Sequence, residues 1–232
     1  MALPVLETPT YELTLPSTQQ IVKYRPFLVK EHKILLSLDK TGAKNIVKTI
    51  KQLINVCTFE KLDVDNLPNF DMEYVFLNLR SKSIGEMVDV NITCNCEDKI
   101  KTYVDLNKIK IENQDKIISN VIEIKDGLSV KLKFPNFEEM MDIYEHANTE
   151  KVFEVVSKCI VSVNEGNTIH DKFTSEEINT FIMSLTKNQF SKIEDFFVNL
   201  PKVTYDDKVK CKKPECGYVN KIRIEGIEHF FI

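Results

Sequence analysis

Glycine and proline are scarce, at six and eight residues in a chain of 232. That is about half their average share, which excludes turn-dense all-β, collagenous and low-complexity architectures. Arginine is scarcer still: Arg25, Arg80 and Arg223 are the only three among 31 basic side chains. Arginine supplies the rigid fork that grips phosphates and base edges, so a dedicated DNA reader is disfavoured. No apolar run approaches the ~20 residues that a membrane-spanning helix needs, and no membrane partner is expected. Met1-Ala2-Leu3-Pro4 has neither the basic nor the apolar stretch of a signal peptide, which predicts a protein made and retained in a cytosol. The glycines stand singly, so no phosphate-cradling G-x-G-x-x-G or G-x-x-x-x-G-K loop forms, and H-E-x-x-H and G-x-S-x-G are missing too.

What is present describes an ordinary globular chain. Hydrophobic residues make up 43% and charged residues 28%, and 31 cations against 35 anions leave a net charge of −4. A chain of this length forms one large domain or two modest ones and buries roughly 70–75% of its unfolded surface. Residues 1–20, with Pro4, Pro9 and Pro16 around the alternating Tyr11-Glu12-Leu13-Thr14-Leu15, read as an extended arm carrying one short strand. Apolar residues then recur every three to four positions from Phe27 to Leu38 and from Ile46 to Cys57, which predicts two amphipathic helices. Asp71 is a candidate N-cap for a third helix that runs to about Ser83 and stops at Gly85. The period changes to two over residues 87–93 and 100–106, around a turn holding Cys94 and Cys96. A second hairpin is predicted over 121–124 and 128–132, turning at Lys125-Asp126-Gly127. Asn136 caps a predicted helix to His146, and a further helical pattern runs from Val152 through Cys159 to Val163. Phe173-Thr174 with Glu177-Ile178 spells a capping box and hydrophobic staple. A last helix ends at Pro201, before two strands around Cys211 and Cys216.

The cysteine spacing carries the chemistry. Cys94-x-Cys96 and Cys211-x-x-x-x-Cys216 are two close pairs, each at a predicted hairpin tip. Four thiolates delivered two by two from such turns suit a closed tetrahedral structural Zn2+ site. Lys99, Lys101, Lys208, Lys210, Lys212 and Lys213 lie near these pairs in sequence and would offset the net −2 of a four-thiolate zinc centre. Cys57 and Cys159 fall on apolar helix stripes and read as buried structural thiols. His32, His146, His170 and His229 lack any nucleophile context, and helix starts account for most of the acidic clusters without catalysis. No enzyme activity is expected. Six basic residues between Lys208 and Arg223, with Tyr218 among them, leave a zinc-ribbon nucleic-acid-binding protein as the alternative, with nucleic acid disfavoured by the acidic balance and the shortage of arginine.

Several runs resemble the T4-type bacteriophage baseplate hub proteins. They are Leu3-Pro4 with Pro9-Thr10-Tyr11-Glu12-Leu13-Thr14-Leu15-Pro16-Ser17; Tyr24-Arg25-Pro26-Phe27-Leu28-Val29-Lys30-Glu31; Phe70-Asp71-Met72-Glu73-Tyr74-Val75-Phe76-Leu77; and Leu79-Arg80-Ser81-Lys82-Ser83-Ile84-Gly85-Glu86. Leu185-Thr186, Gln189-Phe190, Phe196-Phe197, Cys216-Gly217-Tyr218 and Ile224-Glu225-Gly226-Ile227-Glu228-His229-Phe230-Phe231 continue the likeness. The resemblance implies a non-enzymatic hub subunit or hub assembly factor, with other hub proteins as partners. It implies the virion tail baseplate as location, and the host cytoplasm during assembly. Cysteine pairs vary in that family, so zinc rests on the spacing alone.

The expected fold class is α+β: a helical body from residues 21–86 plus 135–201, and a smaller antiparallel β module resembling a split zinc ribbon from 87–134 plus 202–232. The arm is expected either to add as a strand to a neighbouring subunit or to pack on its own body. Candidate partner-binding residues are Tyr11, Leu13, Leu15, Arg25, Phe27, Lys30 and Glu31, with Arg25, Lys30 and Glu31 expected on the surface to set register. Cys94, Cys96, Cys211 and Cys216 are the candidate metal ligands.

Overall fold

The computed structural model describes residues 6–36, 43–114, 119–146 and 149–227. Leu38, His229 and the ends of the chain lie outside them. The described residues form seven helices and eleven strands in small antiparallel sheets, an α+β fold. They group into two compact units, residues 1–112 with 202–232 and residues 113–201. This division does not follow the expected split into a helical body and a β module, because each unit holds both helices and a sheet.

The first unit opens with a hairpin, β1 (Tyr11–Thr14) and β2 (Ile21–Tyr24). Helices α1 (Val29–Leu36), α2 (Ala43–Cys57) and α3 (Asn69–Ser83) follow. The α3 helix begins two residues earlier than the sequence suggests, after Pro68. Asp71 therefore sits inside the first turn, fully buried, where it accepts hydrogen bonds from the Ser17 backbone N–H at 3.0 Å and from the Ser17 hydroxyl. Gly85 ends the segment with φ of +135°, a conformation open to glycine. Next come β3 (Met87–Thr93) and β4 (Lys99–Asp105), paired with each other, and a three-stranded sheet in the order β11–β10–β5, from β5 (Lys110–Glu112), β10 (Lys202–Lys210) and β11 (Val219–Glu225). Met72, Val75, Phe76 and Leu79 of α3 are buried, as are Val88, Val104, Val203 and Tyr205 of the strands.

The second unit holds a four-stranded antiparallel meander, β6 (Val121–Lys125), β7 (Leu128–Leu132), β8 (Ile160–Glu165) and β9 (Thr168–His170). With it are α4 (Phe137–His146), α5 (Thr149–Cys159), α6 (Ser175–Ser184) and α7 (Lys187–Val198). The helical pattern expected to continue through Val163 stops at Cys159. Ile160, Val161 and Val163 are β-branched and favour the strand, and Gly166, at φ +54°, closes the hairpin to β9. The second predicted hairpin is thus part of this sheet rather than of the cysteine module. Ile124, Val130, Leu132, Val156, Ile193 and Phe196 form its core, with Phe153 stacked on Phe190 at 4.8 Å. Both caps predicted in this unit form: Asn136 and Glu139 exchange hydrogen bonds at 2.8 and 2.9 Å, and the Thr174–Glu177 capping box closes at 2.6 and 3.2 Å. No described helix is long and apolar enough to cross a membrane.

Candidate metal centre

The two cysteine-bearing turns of the first unit meet. The β3–β4 turn is closed by the Cys94 N–H donating to the Asp98 carbonyl at 2.9 Å, and the β10–β11 turn by the Cys211 N–H donating to the Tyr218 carbonyl at 2.8 Å. Tight reversals at their tips require left-handed backbone at Glu97, φ +66°, and at Gly217, φ +58°. The sulfurs of Cys94, Cys96, Cys211 and Cys216 all lie within 4.8 Å of one another. Two contacts run across the turns, Cys94 Sγ to Cys216 Sγ and Cys96 Sγ to Cys211 Sγ, each 3.8 Å.

Those distances discriminate between chemistries. A disulfide needs sulfurs about 2.05 Å apart, and all four are free thiols. Sulfurs placed about 2.3 Å from a central Zn2+ form a tetrahedron with edges of about 3.8 Å, matching the two cross-turn contacts.

The surroundings act unequally on the four thiols. The Cys96 amide donates to the Cys94 sulfur, and with the Asn220 side chain at 3.4 Å it holds that thiol below its ordinary range. The Lys213 amide donates to Cys211 and the Tyr218 amide to Cys216, each from two residues downstream of its cysteine. At Cys211 and Cys216 these bonds are the largest single influences and pull downward. Burial and the neighbouring sulfurs outweigh them and raise both thiols. One group that ionises early beside two that resist is the expected behaviour of crowded, interacting thiols, and a cation at their centre removes the mutual repulsion. Ile92, Ile100 and Val209 pack with the cysteines in one small apolar cluster. All four tetrahedral positions would be filled by protein sulfur, leaving no open position for water or substrate.

Asn220 was not singled out from the sequence. Its amide also donates to the Val209 carbonyl at 3.3 Å, fixing the side chain beneath Cys94. A signal exists in retrospect: in the alternation Asn220, Ile222, Ile224, all buried, the asparagine occupies an apolar phase. The six lysines near the pairs are exposed, and none forms an ion pair among the described residues.

The remaining candidates lie elsewhere in the first unit, and the expected exposure of two of them, Arg25 and Glu31, requires correction. Leu13 and Leu15 are buried in the protein's own interior, 7% and 1% exposed. Tyr11 packs against Tyr24 in a tilted arrangement, ring centres 5.7 Å apart, with the Lys82 ammonium 5.9 Å from its ring. The β1 strand pairs along one edge with β2 of the same chain. Phe27 is buried as well, and its N–H donates to the Ser83 hydroxyl at 2.9 Å. Arg25 and Glu31, expected on the surface, form an internal ion pair at 3.1 Å with side chains 14% and 9% exposed. The second Glu31 oxygen accepts the Leu28 N–H at 2.6 Å, which caps α1. Lys30 alone of the seven projects into solvent. Cys57 and Cys159 are fully buried, and loss of hydration pushes their thiols up to about 11 and about 12, where they stay protonated.

No curated protein and no solved structure matches the chain. A family model described as T4 bacteriophage base plate protein matches residues 8–232, from the arm through both cysteine pairs to the last residue. The chain belongs to the T4 bacteriophage base plate protein family.

Proposed function

We propose that the protein is a structural or assembly-directing component of the baseplate hub, working by docking to other hub proteins without catalysis, and that Zn2+ staples its two cysteine turns. Hub placement is supported by the Tyr24-Arg25-Pro26-Phe27-Leu28-Val29-Lys30-Glu31 run, the most specific element of the resemblance. The single observation that carries the staple is the pair of 3.8 Å cross-turn sulfur contacts, the edge length of a zinc tetrahedron. A closed four-cysteine site supplies rigidity and no reactive position, which suits a docking body. The β3–β4 and β10–β11 hairpins joined at their cysteine turns support the likeness to a split zinc ribbon.

Mass spectrometry of purified particles tests the reading. A hub subunit is retained in the virion tail, whereas an assembly factor is found with hub subcomplexes in the host cytoplasm and is lost from finished particles. A chain found in neither overturns it. The exposed lysines beside Tyr218, itself 46% exposed, favour nucleic-acid binding as a second reading. A salt-dependent mobility shift with duplex or single-stranded DNA would establish that reading instead.

A further inference from the structure

One cleft of the first unit has no occupant assigned to it. It measures about 560 Å³ and lies between β3 and β11. Consecutive residues line it from both sides, 90–93 on β3 and 220–224 on β11. A sheet face contributes only alternate residues, because side chains point up and down in turn. Consecutive lining therefore identifies two strand edges. Both are unpaired among the described residues, since β3 pairs only with β4 and β11 only with β10. The strands converge at the cysteine cluster, where Cys94 follows β3 and Cys216 precedes β11. Ile222 and Ile224, buried, and Ile92, half-buried, supply the apolar part of a lining that is about equally polar.

Two rows of unused backbone N–H and C=O groups over a mixed polar and apolar lining are the recognition chemistry for an extended chain. Charge narrows the choice. Arg223 is already held by Glu112, Asp206 and Glu225. Lys221 is the other charged residue lining the cleft, is exposed, and has no carboxylate partner among the described residues. An edge lysine deters indiscriminate pairing but admits a strand carrying an acid.

The chain owns such a segment. Residues 6–10 have no regular structure, and Leu6 is 86% exposed. Glu7 is exposed and pairs with no described residue. Pro4 and Pro9 delimit Val5-Leu6-Glu7-Thr8, four residues spanning about 13 Å as a strand, the length of the 90–93 edge. We propose that residues 5–8 of one copy occupy the β3–β11 cleft of a second copy as an added strand, with Glu7 paired to Lys221. Because donor and acceptor are different surfaces, the contact is head-to-tail and builds rings or filaments rather than an isologous dimer. This goes beyond the hub reading, since it concerns only this chain with itself, and it rests on the joined cysteine turns that align the two edges.

The test uses the full chain, with zinc supplied, and a variant lacking residues 1–9 whose circular dichroism and melting must match it. The full chain is expected to self-associate with concentration in sedimentation velocity. The truncated chain should remain monomeric and bind a labelled peptide of residues 1–10. Lys221→Glu in the truncated chain should weaken the natural peptide by roughly tenfold and regain binding to a peptide carrying Glu7→Lys. Should the truncation unfold, Leu6→Asp in the full chain, at an exposed position, is expected to abolish association. A folded truncated chain that ignores the peptide, association that survives truncation or Leu6→Asp, or a charge swap without rescue overturns the proposal. So does a full chain that stays monomeric while its truncated form takes the peptide, because the segment then fills its own cleft. Virion location and metal content are read separately, so failure here leaves the hub reading standing.

Discussion

Removing the metal should open the cysteine end of the first unit and leave the rest folded. Structural zinc contributes about 10–16 kcal/mol of apparent binding free energy in small zinc modules. The Cys94–Cys216 contact joins positions 122 apart in sequence, and tying a loop of that order restrains the unfolded chain by roughly 5 kcal/mol. Against this, packing at the site is slight: Ile100 is fully buried while Ile92 and Val209 are half-buried. Those three side chains supply roughly 5 kcal/mol at most. Without zinc that packing at most offsets the cost of closing the loop and leaves the turns no net stabilisation, whereas the core lined by Met72, Val75, Phe76 and Leu79 of α3, all under 2% exposed, is untouched. Hydrogen exchange of the Cys94 and Cys211 amides reads the effect, since each closes its own turn. Both are expected to be slow with zinc and fast after full chelation, with amides in α3 unchanged. Cys211→Ser should mimic chelation, while Cys57→Ser, also at a buried cysteine, should leave the metal content at one ion per chain. Equal protection with and without chelator, or elemental analysis finding no zinc, would refute the reasoning.

Other consequences follow from buried charges. Glu31→Ala leaves the Arg25 guanidinium, 14% exposed, without its carboxylate and removes the α1 cap; urea unfolding should show a loss of about 3–5 kcal/mol, and Arg25→Ala combined with Glu31→Ala should cost at least about 1 kcal/mol less than the sum of the two single changes. Additive losses would show that the pair does not act as a unit. Burial raises the Asp71 carboxyl from its ordinary 3.8 to about 6, against the opposing Ser17 bonds. The folded state thus binds this proton more tightly than the unfolded chain does. Its stabilising contribution is complete below about pH 3.8 and is lost as pH rises through about 6, a change of about 3 kcal/mol. Asp71→Asn should flatten that part of the stability–pH profile, and an unaltered slope would assign it to another group.

The parts of the fold legible in the sequence were those whose cause is local. Thr174 and Glu177 close a capping box within four residues, Asp126-Gly127 turns the β6–β7 hairpin, and the cysteine turns announce themselves through two short spacings. What stayed hidden depends on partners far along the chain. Leu13 and Leu15 alternate with Glu12 and Thr14, which says that one face of β1 is buried but not what buries it. The answer is the four-residue β2, too short to stand out, and an α3 turn whose Asp71 takes up Ser17. Arg25 and Glu31 misled for the same reason: single charges read as surface until a partner six residues away and a helix N-terminus are placed beside them.

The cysteines escaped this limitation because their chemistry supplies the long-range term. Two distant pairs of soft ligands have few reasons to occur at turn tips except to share a cation, so the spacing implied a contact spanning more than a hundred residues. The same contact orders the two strand edges beside it. Cys94 and Cys216 bring the end of β3 and the start of β11 together, and from that fixed point the strands run outward as the walls of the cleft. The staple and the cleft are therefore mechanically linked: whatever opens the sulfur cluster also removes the alignment of the two edges. Chelation should consequently abolish binding of the residue 1–10 peptide while leaving the helices of both units intact, a dependence that peptide capture by an unrelated surface would not show.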